Sequence, residues 1–198
     1  MISTNLTATI KGIRPLLMHN GRLRDPLNPH TRALSSAVKK AKTSKAEADI
    51  IEQYHTEFIG ALYYDEKLGP YIPADNLQSM LVEGARKRRL GKQVEALVQV
   101  LEPDGAAGYK LEYKGKRDPE ELFKSDVHRS LKSAKIGQSC VMRCRPRFPD
   151  WRVTFNIEVT EGGPTTEQLR EALEDAGLLV GLADWTPRYG RFELENLS

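Results

Sequence analysis

The chain has 198 residues, 39% of them apolar and 29% charged, which is the balance of a globular protein rather than a disordered one. That length can bury a proper core, and no apolar run approaches the roughly 20 residues of a membrane span. The net charge of +3 is unevenly spread: residues 1–84 hold 10 Lys and Arg against 9 Asp and Glu, residues 85–147 hold 16 against 8, and residues 148–198 hold 4 against 10. Such asymmetry fits a nucleic-acid groove on the basic part, head-to-tail self-association of opposite charges, or both. Met1 to Lys11 lacks the apolar core of a signal peptide, so a cytoplasmic location is expected. Cys140 and Cys144 are the only cysteines in the sequence. They fall on one strand face, a poor geometry for bridging each other, and no histidines accompany them at zinc-site spacing.

Taken in chain order, residues 4–11 alternate Leu6, Ala8 and Ile10 with polar partners and predict a half-buried strand. Residues 20–32 carry Gly21, Pro26 and Pro29 among arginines and predict a loop. Ser44 to Glu47 has capping-box spacing, so a helix is expected from there, with Ile50, Ile51, Tyr54, Phe58, Ala61 and Leu62 as its apolar stripe. Short strand pieces follow around 62–64 and 71–72. Pro73 and Asp75 open a second helix, which buries Leu77, Met80, Leu81, Gly84 and Ala85 and runs into Arg86-Lys87-Arg88-Arg89. Residues 94–101 read as helix or strand, undecided. A hairpin is expected over 109–117, a short helix over 119–123, and a strand around Cys140, Met142 and Cys144. The clearest strand is Trp151, Val153, Phe155, Ile157 and Val159. Thr165 starts a last helix that Gly177 should stop. A final apolar strand runs to Leu197.

This order predicts an α+β fold: a ferredoxin-like, RRM-like antiparallel sheet with helices on one face. One domain is expected over residues 1–198, with a basic, loop-rich insertion around 86–138.

Motifs of enzymes are scarce. The four histidines, His19, His30, His55 and His128, have no partners at metal-ligand spacing, and neither a P-loop nor a G-x-S-x-G elbow is present in the sequence. No metal and no cofactor is expected. The basic constellations say more. Arg86, Lys87, Arg88, Arg89 and Lys92 crowd the end of one helix, beyond what offsetting a helix dipole requires. Arg143, Arg145 and Arg147 share a strand face, just downstream of Arg129, Lys132 and Lys135. The segment 181–192 sets Gly181, Trp185, Arg188, Tyr189, Gly190, Arg191 and Phe192 together. Glycine freedom beside rings and guanidinium groups suits a loop that holds a polyanion or a base closely. The same aromatics would equally serve to plug the end of a core.

Three segments resemble one superfamily. Residues 177–192 look like the C-terminal glycine-rich signature of the RAMP proteins, the RRM-like subunits of CRISPR effector complexes. Tyr71-Ile72-Pro73-Ala74-Asp75-Asn76-Leu77, followed by Gly84-Ala85-Arg86, is similar to that superfamily's strand-to-helix entry. Ile10-Lys11-Gly12-Ile13-Arg14-Pro15-Leu16-Leu17 resembles its first strand and exit. The chain departs from the pattern at Leu182-Ala183-Asp184, where a second close glycine is usual, as a small divergent or phage-borne relative would. The resemblance implies a non-catalytic subunit that binds single-stranded RNA or DNA and associates head to tail, as a homo-oligomer or within a larger ribonucleoprotein. By carry-over, Arg86 closes the helix motif, and Gly181, Arg188, Gly190 and Arg191 sit in the loop. Two other readings stay open. One is a metal-independent ribonuclease of the same superfamily, with His19 as base and Tyr189 or a lysine assisting. The other is a phage structural or assembly protein.

Overall fold

The computed structural model describes residues 2–137 and 139–198. Its elements are β1 (Ser3–Gly12), β2 (Leu16–Leu17), a 3-10 turn at Gly21–Arg24, α1 (Pro29–Ser44), α2 (Glu47–Ala61), β3 (Tyr64–Asp65) and β4 (Gly69–Ile72). They continue with α3 (Ala74–Lys87), α4 (Gly91–Leu97), β5 (Val98–Val100), β6 (Tyr109–Lys110), β7 (Glu112–Tyr113) and α5 (Pro119–Lys124). The last are β8 (Arg129–Ile136), β9 (Ser139–Phe148), β10 (Trp151–Thr160), α6 (Thr166–Asp175), a π turn at Ala176–Val180, and β11 (Phe192–Leu197). The chain divides into two compact units, each built from separate stretches of sequence.

The first unit comprises the residues up to Leu16, with Tyr64–Lys114 and Pro149–Ser198. Its sheet runs β11-β1-β10-β5, and every pairing in it is antiparallel. In chain order these are the fourth, first, third and second strands, the ferredoxin-like arrangement. Alternation explains the layering. Leu6, Ala8 and Ile10 of β1, with Trp151, Val153, Phe155 and Ile157 of β10, are buried along with Leu77 and Leu81 of α3 and Leu169 and Leu173 of α6. The opposite face is polar. There Thr7 donates to Asn156 Oδ1 (3.1 Å) and Thr9 bonds Thr154 (3.0 Å). Lys11 and Arg152 both reach Glu195, Arg152 at 2.7 Å. No aromatic ring stands on that face in β1, β10 or β11.

One side chain closes the edge of this sheet. Gln78 of α3 donates from Nε2 to the Val98 carbonyl (3.0 Å) and accepts the Val100 N–H through Oε1 (2.8 Å), so it stands in for a further strand beside β5. Gln78→Ala should cost about 1–3 kcal/mol, since two half-buried main-chain groups lose their partners at once. Chemical denaturation would measure it, and an unchanged midpoint would show that water replaces the amide.

The second unit comprises Leu17–Tyr63 and Gly115–Phe148. Here α1 packs on α2, α2 packs on β9, and the sheet order is β2-β9-β8. Its core holds Phe58, Leu62, Leu122 and Phe148, all nearly inaccessible. The guanidinium of Arg22 seals the end of α2, with Nε donating to the Gly60 carbonyl (2.9 Å) and Nη2 to those of Ile59 (2.7 Å) and Leu62 (3.1 Å). A cation on the orphan carbonyls of a helix C-terminus meets both their hydrogen bonds and the dipole.

The mixed α+β character and the strands read from 4–11 and 151–159 stand as expected. Several local readings need correction. Much of the expected loop over 20–32, and the residues after it, form a 3-10 turn and the 16-residue helix α1, capped by the Asn28 side chain with Pro29 at its first position. Ser44 ends α1 instead of capping α2, because Lys45 turns left-handed (φ 55°) and breaks the helical path. Residues 94–101 divide into the end of α4 and then β5. The strands expected to form a hairpin over 109–117 pair elsewhere, β6 with β4 and β7 with β10. Gly177 lies within the π turn instead of stopping the helix, and it lacks a Cβ because the Phe192 carbonyl presses against its Cα.

Candidate nucleic-acid interface

The helix-end cluster, in the first unit, separates into bonded and unbonded cations. Arg88, the last-turn cap of α3, donates from Nε to Asp175 (2.7 Å) and from Nη1 to Glu171 (2.8 Å), tying α3 to α6. The Asp175 carboxylate holds the Arg88 pKa above its ordinary value. Arg86 pairs with Glu83 on its own helix and with Glu95 (3.7 Å) on α4. These two arginines therefore serve packing first. Lys87, Arg89 and Lys92 make no side-chain bond among the described residues, and all three are exposed. Arg89 sits at φ 63°, which ends the helix.

The loop between the π turn and β11 is tightly built. Gly181 (φ 85°) donates to the Ala176 carbonyl (2.7 Å), and Gly190 (φ 71°) donates to the Pro15 carbonyl (2.8 Å). Leu182 N–H reaches back to the Gly190 carbonyl (2.9 Å), closing the loop on itself. Two non-glycine residues, Ala183 (φ 69°) and Trp185 (φ 61°), are also left-handed, a conformation that costs each about 1–2 kcal/mol. Trp185 stacks on Tyr189 with ring centroids 5.8 Å apart and planes 15° apart. Tyr189 is buried, Trp185 half-buried, and Arg188 exposed with no side-chain bond among the described residues. Arg191 is turned inward, donating from Nε to the Pro187 carbonyl (2.9 Å) while its own carbonyl accepts from Ile13 and Arg14. Tyr189 and Phe192 are core anchors, while Arg188 is exposed and Trp185 half-buried against Tyr189.

In the second unit, β9 places Arg143, Arg145 and Arg147 alternately with the buried Cys144, Pro146 and Phe148. Glu57, only 2% exposed, projects from α2 onto this strand. Its Oε1 accepts from Arg143 Nη1 (2.7 Å) and its Oε2 from the Cys144 N–H (2.9 Å). Burial, followed by that neighbouring carboxylate, pushes the Cys144 thiol up to about 12, so it stays neutral and unreactive. Arg147 donates to the Val127 carbonyl (3.1 Å). The register sets Lys132 directly opposite Arg143, and Ser130 opposite Arg145. Two cations thus stand opposite each other across the ladder, where Glu57 offsets the charge of Arg143. Val141, on the same face, is 36% exposed, and Leu131 and Met142, on the other face of the ribbon, are 39% and 44% exposed. This outer part of the β8–β9 ribbon thus combines cations with apolar surface.

His19 lies half-buried between β2 and the 3-10 turn, in the second unit, whereas Tyr189 belongs to the first. Among the described residues no three His, Cys, Asp or Glu side chains gather where a metal ion would bind, and no helix is long and apolar enough to cross a membrane.

Reading charge by linear segments missed how it falls on the units. The second unit holds 16 Lys and Arg against 9 Asp and Glu, a net +7, while the first holds 14 against 18, a net −4. The basic region thus joins residues 115–148 with 17–63, a pairing that only the fold reveals. No family model and no curated protein matches the chain.

Proposed function

We propose that the protein is a non-catalytic binding subunit for single-stranded nucleic acid, RNA in the first instance, which associates head to tail along the strand. The observation that carries this reading is the β8–β9 ribbon of the +7 unit, where Lys132 faces Arg143 with exposed Val141 on the same side, and exposed Leu131 and Met142 stand on the other. Phosphates answer the cations, and unstacked bases answer the apolar side chains; a duplex offers the second only at its ends. Lys87, Arg89, Lys92 and Arg188 supply a further set of exposed cations on the ferredoxin-like unit. The RAMP resemblance points to the same class of ligand, and opposite net charges on the two units suit association of one copy's basic unit with another's acidic one.

A labelled single-stranded RNA titrated by fluorescence anisotropy tests the proposal. Binding should weaken steeply with salt, with log K falling by about 0.7 per phosphate neutralised for each tenfold rise in salt. Lys132→Gln with Lys135→Gln should weaken binding at every sequence tried, because phosphate contacts read no bases. Absence of binding at low salt, or an affinity indifferent to salt, would refute it.

A further inference from the structure

The outer face of α1, in the basic unit, carries charge of one sign only. The helix carries four Lys and Arg in 16 residues and no acidic residue at all. Its packed side is narrow: Ala37 and Ala41 are buried, with Leu34 and Val38 half-buried beside them. Arg32, Ser36, Lys39 and Thr43 recur at helical spacing on the opposite side, with Ser35 and Lys42 next to them, and all six are exposed.

The fourth cation provides an internal contrast. Lys40 lies between Asp49 Oδ1 (2.9 Å) and Glu52 Oε2 (2.7 Å) of α2, and those carboxylates hold its ammonium well above the usual lysine range. Three of the four acids of α2 are thus engaged, Asp49 and Glu52 by Lys40 and Glu57 by Arg143, and the fourth, Glu47, is exposed. Arg32, Lys39 and Lys42 make no side-chain bond among the described residues. Lys39 and Lys42, three residues apart on one helix, repel each other by roughly 0.2–0.5 kcal/mol, with no acid on their own helix to offset it. Packing has no need of such an arrangement. Although Thr43 gives its own proton to the Lys39 carbonyl (3.0 Å), a row of cations interleaved with the Ser35 and Ser36 hydroxyls, over residues 32–42 or about 16 Å of helix, is complementary to a line of phosphates, which accept from both kinds of donor.

We infer that the outer face of α1, centred on Arg32, Lys39 and Lys42, is a second phosphodiester-contact surface, which lets the basic unit hold nucleic acid on α1 as well as on the β8–β9 ribbon. The inference rests on the nucleic-acid reading of the preceding subsection. It adds a surface that the linear charge pattern concealed, since the neighbouring acids of α2 cancel these cations in any count along the chain.

The test uses the full chain carrying R32Q, K39Q and K42Q together, titrated with the same single-stranded RNA across a salt series. Removing three phosphate contacts should flatten the slope of log K against log salt by about 2, and weaken binding on the order of 100-fold near 0.1 M salt. The thermal midpoint should not move, because all three side chains are exposed. The charge-preserving R32K, K39R and K42R variant should bind like the parent. Parent-like binding by the triple glutamine variant would overturn the inference while leaving the nucleic-acid reading intact. Unchanged RNA binding with loss of self-association would also overturn it, and would assign the face to an acidic protein surface. If the parent itself fails to bind RNA at low salt, the reading it rests on falls first and this inference falls with it.

Discussion

Glu57→Ala is expected to destabilise the protein by about 3–5 kcal/mol, the cost of breaking a buried ion pair by removing one partner. The carboxylate is almost completely buried and serves two donors, the Arg143 guanidinium and the Cys144 N–H, so its loss leaves a half-buried cation and an unpaired main-chain group together. For a chain of 198 residues the low end of that range corresponds to a fall in melting temperature of about 6–12 °C. Glu57→Gln keeps an acceptor for the Cys144 N–H and should lose less. Adding Arg143→Leu to Glu57→Leu should recover part of the deficit, because the stranded charge leaves with its partner. Thermal denaturation of the four variants, Glu57→Leu alone included, checks the sequence of effects. A Glu57→Ala protein as stable as the parent would mean that water satisfies both donors. The same substitution should weaken RNA binding, since Glu57 fixes Arg143 on the ribbon where Lys132 opposes it.

Gly190→Ala is expected to cost about 3 kcal/mol and to disrupt the signature loop. Two effects add. The residue sits at φ 71°, and an added Cβ would overlap the Leu182 carbonyl oxygen, the residue whose N–H closes the loop onto Gly190. Gly105 separates these effects, because it has a similar φ of 64° but open space around its Cα. Gly105→Ala should therefore lose only about 1 kcal/mol, the dihedral part alone. Equal losses from the two substitutions, measured by denaturant unfolding, would contradict the packing argument.

The strands and helices with strong periodicity were legible from residue types alone. In β10 the alternation of Trp151 to Val159 with Arg152 to Glu158 fixes both the conformation and the buried side, and in α3 the stripe of Leu77, Met80, Leu81 and Ala85 does the same. α1 was not legible, because it buries only two alanines and offers no apolar stripe; the Asn28-Pro29 start was the signal available. Nor could periodicity reveal that β6 and β7 pair with different strands, since partner choice depends on residues far along the chain.

For the candidate interface the limits were of another kind. Residue type and spacing located Arg86, Arg88 and Arg143 in basic clusters, but their carboxylate partners are distant in sequence or on neighbouring turns. Arg88 meets Asp175 and Glu171, and Arg143 meets Glu57 across 86 residues. The glycine-rich segment was correctly located between the last helix and the last strand, yet which of its aromatics faced inward depended on packing that a linear pattern does not carry. Tyr189 and Phe192 are buried, Trp185 is half-buried and Arg188 exposed.

The pairing of β1 with β10 also bears on how the chain is made. Ser3 lies opposite Thr160 and Lys11 opposite Arg152, and β11 joins β1 later still, with Gly12 opposite Phe192. On a ribosome the first strand must wait for about 150 further residues before its central neighbour emerges, with the alternating Leu6, Ala8 and Ile10 uncovered meanwhile. Contacts this far apart in sequence slow the closing of the sheet. The helical pair α1 and α2, joined by two residues, has no such delay and can assemble while synthesis is still under way. Pulse-labelled nascent chains should therefore acquire protease resistance in α1 and α2 before β1, and the amino-terminal strand is where a trapped, aggregation-prone chain would first be bound by a chaperone.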